Sequence, residues 1–314
     1  SKRWLDLVQS QTKNFIVREG LHDHECLEGE KTAPMVTPLY CESARLLSRL
    51  ASILGRTENT EEYKRLVERI KAAYTNEFLS AGTGVVASGI QGVQAFALAL
   101  DMLPDDERPA ALKRLVHDIE DKHDGHLTTG IFGTNFMLNV LSREGRIETA
   151  YRVVNQRDFP GWGHMLAQGA TTLWEHWKFS DNTFSHNHPM FGSVSQWFYN
   201  WLGGIEPAPD AVGFDRILLH PRFVEGLEWV NCRINTVRGP VISNWRRTGG
   251  RIAWTVELPV GSTAEVGLPA ASANAITESE CPLGVVEGVE AVAERAGLVT
   301  FRLASGRYRF VLLQ

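Results

Sequence analysis

The spacing of apolar residues in this chain changes near residue 205, and this change limits the folds that the chain can adopt. Before residue 205, apolar residues recur with the period of amphipathic helices. After it, they alternate in short segments between Gly, Pro and Ser turns, as in Arg251 to Leu258 and Leu298 to Leu303. The sequence therefore predicts a multi-domain α and β protein, with a helical domain at 1–205 and a β domain at 206–314.

The first domain is predicted to consist of paired helices. Long periodic segments follow one another, and Gly55, Pro104 and the Glu144-Gly145 turn mark the ends of individual helices. About nine helical segments precede residue 205. The main ones are 2–17, 33–54, 58–79, 89–103, 105–122, 129–143, 145–156 and 189–205. This succession favours packed helix pairs over a parallel sheet, which needs helices and buried strands in alternation.

The second domain is predicted to be an antiparallel β-sandwich. Pro207, Pro209 and Gly213 mark a linker, and Gly306 to Leu313 has the pattern of a last strand. The segments between them predict about eight strands in all. We expect this domain to brace the helices rather than to take part in chemistry.

Charge and hydropathy patterning exclude two classes of partner. The net charge is −5 and the Lys and Arg residues are scattered rather than clustered, so nucleic acid is not expected to bind. No apolar run approaches the roughly 18 residues of a membrane span, so no membrane partner is expected. The four cysteines have no metal-ligand spacing and are predicted to be reduced thiols, with a disulfide inside either domain as the alternative.

Residues 169–192 contain the side chains that most constrain function. Glu175 lies between Trp174 and Trp177, and Asn187 and His188 follow just before an apolar, aromatic-rich segment. Sugar rings have an apolar C–H face and a rim of hydroxyl groups, so their pockets pair indole rings with a few charged groups. The pattern predicts a sugar pocket around Glu175. Glycoside hydrolysis usually needs two carboxyl groups, and this segment offers one good candidate.

Several motifs in a fixed order carry a resemblance to a known family. They are Gly-His-Leu-Thr-Thr-Gly at 125–130, Pro-Gly-Trp at 160–162, Gly-Ala-Thr-Thr-Leu-Trp-Glu-His-Trp at 169–177, Ser-His-Asn-His at 185–188 and Phe-Gly-Ser-Val at 191–194. In order and spacing they resemble the bacterial α-L-rhamnosidases of glycoside hydrolase family 78. The resemblance covers nearly the whole chain, including the β-sandwich. It implies an (α/α)6 barrel that removes terminal α-L-rhamnose from glycosides or polysaccharides with inversion.

The resemblance also assigns roles to individual residues. Glu175 matches the glutamate of the family's T-T-x-W-E-x-W motif, which acts as the general base. His188 matches a histidine that lines the sugar subsite, and Trp162 and Trp174 match aromatic residues around the pocket. From the residues alone, other roles stay open: Glu175 on a solvated helix face, His188 as a core histidine, and the tryptophans as core packing.

One part of the family pattern does not occur in the chain. The family's general acid lies upstream, in a segment resembling C-P-x-R-D-E-R-x-x-W, and these 314 residues contain no such string. A barrel of twelve helices also needs on the order of 350 residues at ordinary helix and loop lengths. We therefore expect an incomplete barrel, the C-terminal part of a larger enzyme. Its expected partners are a carbohydrate with terminal rhamnose and the missing N-terminal part of the same enzyme.

A polar loop and one further histidine complete the predicted sugar contacts. The resemblance places a loop of the Asp-His-Glu type against the sugar, so Asp23 and His24 are predicted to bind substrate, and His126 is added to them. The alternatives are a solvated connection for the loop and a helix junction for His126.

The same loop has two other interpretations. His22, Asp23, His24 and Glu25 have the chemistry of a divalent metal site, which His186 or His188 would complete. Glu25 or Glu28 would be the nearest replacement for the missing acid. The preferred prediction contains neither, and it includes no metal and no cofactor.

Two other classes of function remain beside the hydrolase. The chain would be a non-catalytic carbohydrate-binding or structural fragment if it exists alone. A polysaccharide lyase with a helical toroid is a weaker alternative, because a lyase neutralises a uronate and no arginine cluster lies near the motif.

Overall fold

The chain folds into two compact units. The computed structural model describes residues 2–29, 31–180 and 184–313. The units are 1–194 and 195–314, the first helical and the second made of two β-sheets. The predicted fold class, helix pairs followed by a β-sandwich, is confirmed.

Nine α-helices lie in the described residues. They are α1 Lys2–Gln11, α2 Ala33–Ile53, α3 Thr57–Phe78, α4 Gln91–Ala99, α5 Arg108–His117, α6 Ile131–Arg143, α7 Ile147–Val154, α8 Trp162–Ala167 and α9 Ser193–Trp197. A π-helical turn follows α5 at Asp118–Lys122 and another follows α9 at Phe198–Leu202, while a 3-10 turn, Pro189–Gly192, precedes α9. A short hairpin, β1 Leu79–Ser80 and β2 Val85–Val86, follows α3. In the described ranges, no helix combines the length and the hydropathy needed to cross a membrane.

The helices of the first unit form an inner row and an outer row. The inner row is α2, α4 and α6, which pack in succession, and α3, α5 and α7 each pack against the inner helix that precedes them. α4 contains no charged residue and is buried along nearly its whole length, as expected of a helix that is apolar on all sides. α3 is amphipathic and buries one face, which includes Tyr63, Ile70 and Tyr74.

Two helices are shorter than their apolar patterns predict. The pattern predicts a first helix over 2–17, but α1 ends at Gln11. Asn14 and Phe15 beyond it have φ of 55° and 64°, a left-handed conformation that an α-helix does not contain. The segment predicted as one helix over 189–205 is instead divided into the 3-10 turn, α9 and the π-helical turn.

The second unit is a sandwich of two sheets. Its strands are β3 Ile205–Pro207, β4 Arg216–Leu219, β5 Trp229–Thr236, β6 Gly239–Thr248, β7 Arg251–Leu258, β8 Thr263–Pro269, β9 Ile276–Glu278, β10 Cys281–Pro282, β11 Val289–Arg295, β12 Leu298–Leu303 and β13 Gly306–Leu313. The strand orders are β10-β9-β13-β7-β6-β5 and β11-β12-β8-β4-β3. The pairing is antiparallel except between β4 and β8, which are parallel. The described residues thus hold more strands than the eight expected, because β3, β9 and β10 are too short to give an alternating pattern.

Alternate residues of the strands fill the space between the two sheets. In β7, Ile252, Trp254, Val256 and Leu258 are buried while their neighbours are less so. They join one core with residues of the other sheet, among them Ile217, Leu219, Val266 and Leu268. The period-two pattern that predicts the strands is therefore the pattern that builds the core.

A buried serine connects the sandwich core to the chain that leads into it. The Ser243 hydroxyl donates to the carbonyl of Gly203 at 2.6 Å and accepts from Trp254 Nε1 at 2.9 Å. Trp245 Nε1 donates to the neighbouring carbonyl of Leu202 at 2.8 Å. All three side chains are buried, so these bonds have no competing water.

We expect Ser243→Ala to lower the free energy of unfolding of the β-sandwich by about 2 kcal/mol, because it leaves the buried Trp254 N–H and Gly203 carbonyl without partners. Urea denaturation followed by tryptophan fluorescence measures the change. Ser305→Ala, in an exposed turn, is the matched control and should have no measurable effect. Equal stability of the two variants would show that the buried hydroxyl contributes nothing.

Candidate active site

Two chain segments build the turn that presents Glu175. The backbone amide of Glu175 donates to the carbonyl of Ser185 at 2.9 Å, and the amide of His188 donates to the carbonyl of Leu173 at 2.9 Å. The two segments therefore lie side by side like paired strands and close the loop between them. This places the carboxylate of Glu175 and the ring of His188 on neighbouring parts of one turn.

The Glu175 carboxylate is held by N–H donors and remains accessible. Its Oε2 accepts the backbone amide of Ser185 at 2.9 Å, and its Oε1 lies 3.4 Å from Nε2 of His24. The side chain is 23% exposed. The Ser185 amide lowers the pKa of Glu175 most, followed by the His24 hydrogen bond and the charges of His188 and His24. The group is thus favoured as an accessible, ionised carboxylate, which suits a base.

His24 lies between two carboxylates. Its Nδ1 is 3.5 Å from Oε1 of Glu25, opposite the contact with Glu175. The other oxygen of Glu25 is 3.7 Å from Nε2 of His176. Ligand atoms of His24, Glu25 and Glu175 all lie within 4.8 Å of one another, so this group also has the chemistry to hold a divalent metal ion.

A second group of acids and a histidine lies beside the same loop. Glu28, Asp118 and His123 have ligand atoms within 4.8 Å of one another. The ammonium of Lys122 is 3.0 Å from Glu28 and 3.2 Å from Asp118, so a cation of the chain already binds both carboxylates. These contacts also raise the pKa of Lys122, the Glu28 hydrogen bond most. We interpret the group as an ion-pair cluster that fixes the loop to the π-helical turn.

Asp23 is buried at the N-terminus of α6. Its carboxylate accepts backbone amides from Gly130 at 2.7 Å, Phe132 at 3.0 Å and Gly133 at 2.7 Å. Burial raises the pKa of Asp23, although these three bonds act in the opposite direction. The side chain has no exposed surface. This geometry favours a structural role as a helix cap and gives no support to the prediction that Asp23 contacts the sugar.

The N-terminus of α6 anchors both halves of the site. The amide of Ile131 donates to the carbonyl of His24 at 2.8 Å. Trp177 Nε1 donates to the carbonyl of Thr129 at 2.8 Å. One helix end thus holds the loop that carries His24 and the segment that carries Glu175, and it fixes their separation.

The predicted pocket tryptophans differ in exposure. Trp174 is 3% exposed and its ring stacks on His186 with centroids 5.0 Å apart. Trp162 is half-buried, meets Trp177 edge-on at 5.1 Å, and donates its Nε1 to the carbonyl of Phe191 at 3.2 Å. Trp162 is therefore open to a ligand on part of its ring, whereas Trp174 mainly supports the turn.

The two predicted histidines have different surroundings. His188 is half-buried and close enough to Glu175 for its charge to lower the pKa of that carboxyl. His126 contacts Asp158 through Nε2 at 2.8 Å and the carbonyl of His123 through Nδ1 at 3.0 Å. The structure thus brings Glu175, His24 and His188 together, while His126 contacts other partners.

Sequence reasoning missed two groups of the site. Ser185 acts through its backbone amide, which any residue would provide, so no sequence signal identifies it. His176 is inside the Trp-Glu-His-Trp motif, and its position next to Glu175 is a signal that was available. The sequence predicts Glu25 as a substrate-side residue, with a replacement acid or a metal ligand as alternatives, and its place between two imidazoles follows from the fold.

The chain matches sequence models of known protein families. A sequence model described as the bacterial alpha-L-rhamnosidase 6 hairpin glycosidase domain matches residues 1–202. The chain belongs to this family. A second model, the bacterial alpha-L-rhamnosidase C-terminal domain, matches residues 204–281. The family resemblance predicted from the motifs is confirmed.

Curated relatives are longer than this chain. The alpha-L-rhamnosidase of Streptomyces avermitilis is 33% identical over 286 residues, which are 88% of this chain and 26% of the relative. An alpha-L-rhamnosidase of Formosa agariphila is 27% identical over 289 residues, which are 85% of this chain and 30% of the relative. The chain therefore spans about a quarter to a third of the length of these relatives.

Solved rhamnosidases have the same fold over the whole chain. The alpha-L-rhamnosidase from Dictyoglumus thermophilum superposes with a TM-score of 0.89 at 30% identity, over 100% of this chain and 36% of that one. The Streptomyces avermitilis enzyme, solved in complex with L-rhamnose, gives a TM-score of 0.89 at 30% identity, over 99% of this chain and 30% of that one. The Aspergillus terreus enzyme, at 20% identity and a TM-score of 0.82, shares the fold.

Proposed function

We propose that this chain provides the general base, Glu175, of an inverting α-L-rhamnosidase whose general acid comes from an upstream part of the same polypeptide. The observation that carries the proposal is the Glu175 carboxylate, which is partly exposed and bonded to N–H donors that favour its ionised form. A carboxylate of this kind can take a proton from water. The substrate class is that of the relatives, which are named alpha-L-rhamnosidases, one of them solved with L-rhamnose.

The proposed reaction is a single displacement at the anomeric carbon. Glu175 removes a proton from a water molecule while the water oxygen attacks the anomeric carbon of the rhamnose. The bond to the leaving oxygen breaks, and the upstream acid gives that oxygen its proton. Attack from the face opposite the leaving group inverts the anomeric configuration.

Glu25 is too close to Glu175 to serve as that acid. One oxygen of each lies within 4.8 Å of the other. An inverting enzyme needs carboxyl groups about 6.5–9.5 Å apart, so that water and the anomeric carbon fit between them. We therefore assign the acid to a residue outside this chain, in agreement with the missing upstream motif.

The sugar contacts are assigned from exposure. His188 lies near Glu175, and Trp162 packs against Trp177 of the segment that carries Glu175. Both side chains are half-buried, so we propose that they contact the rhamnose. His126, which contacts Asp158 and the carbonyl of His123, remains a proposed sugar contact. Trp174 is proposed to support the turn rather than to bind sugar, because it is 3% exposed.

The first helices offer a surface for the upstream part. Trp4 and Leu7 of α1, with Leu46, Leu50 and Ile53 of α2, are each more than half exposed. Within each helix these residues are three or four positions apart and so lie on one face, and an exposed apolar face is a surface that another segment can cover. The relatives are longer than this chain. We therefore propose that an upstream segment of this polypeptide, corresponding to their upstream residues, covers this surface.

The proposal is tested by rhamnose release from an aryl α-L-rhamnoside. We expect the polypeptide extended by its upstream part to release rhamnose, and the 314-residue chain alone to release none. Proton NMR of the anomeric region in the first minutes should show the β anomer, the product of inversion.

Three outcomes would contradict parts of this assignment. Release by the 314-residue chain alone would mean that it contains its own acid. The α anomer as first product would mean a retaining enzyme. An extended polypeptide that binds rhamnose without releasing it from the glycoside would indicate a non-catalytic carbohydrate-binding protein.

A further inference from the structure

His24 has a hydrogen-bond acceptor at each ring nitrogen. Nε2 faces Glu175 at 3.4 Å and Nδ1 faces Glu25 at 3.5 Å. The contact with Glu175 is the hydrogen bond of the two, and an N–H on Nε2 donates to it. The ring therefore lies between the two carboxylates, with Glu25 beside its other nitrogen.

The tautomer of His176 explains how Glu25 is held. The amide of Lys178 donates to Nδ1 of His176 at 2.9 Å, so Nδ1 carries a lone pair and the ring proton is on Nε2. That Nε2 points to Glu25 at 3.7 Å. Glu25 is thus oriented by two imidazoles, one at each carboxylate oxygen. Its own backbone is in the left-handed region, at φ 61°, as often occurs where function fixes a side chain.

A direct hydrogen bond accounts for the closest contact of this group. The separation of 3.4 Å between Nε2 of His24 and Oε1 of Glu175 is that of a long hydrogen bond, which often shortens when substrate binds.

We propose that His24, oriented by Glu25, is a positioning residue for Glu175: it donates a hydrogen bond to the carboxylate and fixes its direction. This rests on the proposed role of Glu175 as general base. It replaces the sequence prediction that His24 contacts the sugar. The loop that carries His24 is suited to the role, because the buried Asp23 ties it to α6.

The contact between His24 and Glu175 has a consequence for pH dependence. The groups facing Glu175 are His24 and Glu25 from the loop and His188 and the Ser185 amide from the paired segment. Loss of the His24 hydrogen bond raises the pKa of Glu175, because its anion is then less stabilised. At low pH a smaller fraction of Glu175 is ionised, and the acid limb of the rate profile moves to higher pH.

The test is the pH profile of kcat/KM for the complete polypeptide and its variants. We expect His24→Asn to move the acid limb up by about one pH unit, with kcat/KM about tenfold lower below the limb and KM changed less than about twofold. His24→Gln should give a shift in the same direction. Glu25→Gln should give a smaller shift, because loss of the orienting anion of His24 and loss of a like charge near Glu175 act on the pKa of Glu175 in opposite directions. His117→Gln, an exposed histidine on α5, is the control and should leave the profile unchanged.

The outcomes separate this proposal from the one on which it depends. A rise in KM with an unmoved acid limb in His24→Asn would show that His24 is a sugar contact, and would overturn the proposal. An unchanged profile in both His24→Asn and Glu25→Gln would also overturn it. If Glu175→Gln is fully active, it is the base assignment that fails. Near-UV circular dichroism shows whether each variant is folded. If the His24→Asn protein is not folded, the His24→Gln protein provides the test.

Discussion

Replacing Glu175 by glutamine is expected to lower the kcat of the complete polypeptide by a factor of about 10² to 10⁴, with little change in KM. Glutamine has the shape of glutamate, and its carbonyl can still accept the Ser185 amide. It cannot accept a proton from water at neutral pH. The turn and the pocket are therefore retained while the base is lost, and steady-state kinetics on an aryl α-L-rhamnoside measure the difference.

A control shows that the loss is local. Glu19→Gln, at an exposed position outside the site, should keep the activity of the unmodified polypeptide. If Glu175→Gln retained activity within a factor of about two, the general base would have to be another residue, since removal of a base costs far more than that.

The second large effect is expected at Asp23. Asp23→Ala should lower the free energy of unfolding of the helical unit by about 3 kcal/mol or more, because three backbone amides at the N-terminus of α6 lose their acceptor in a buried place. Asp23→Asn should recover part of this stability, since its amide oxygen still accepts while its NH2 group opposes a donor. Thermal unfolding followed by far-UV circular dichroism compares the variants.

Asp121→Ala is the matched control for this experiment. Asp121 is 68% exposed and pairs with His117 on the surface, so its removal should cost less than about 1 kcal/mol. An Asp23→Ala protein as stable as the Asp121→Ala protein would mean that water or another group replaces the cap. The prediction that Asp23 contacts sugar would then regain support.

The sequence predicts the helices and strands better than it predicts the contacts between them. Helical and alternating periods are local, so they identify the inner helix α4 and the strand β7. The contact between His24 and Glu175 joins residues 151 positions apart. The cap of α6 by Asp23 spans 107 positions at Gly130. Contacts of this range depend on how helices pack, which a single sequence does not show.

The roles of residues within the motifs also depend on contacts that the sequence does not show. The pattern Trp-Glu-His-Trp identifies Glu175, but the two tryptophans of that motif prove to be buried. The family resemblance of its loop predicts Asp23 as a sugar ligand, whereas its burial favours a structural role. A buried acid is recognised only when its hydrogen-bond donors are known.

The backbone bond between Glu175 and Ser185 has a consequence for how such a protein diversifies. Ser185 donates to the Glu175 carboxylate through its backbone amide, which every residue except proline has. Position 185 can therefore change its side chain in evolution while the contact that orients the carboxylate is kept. Trp177 has no such freedom, because its own ring N–H bonds to the carbonyl of Thr129 and its side chain is buried.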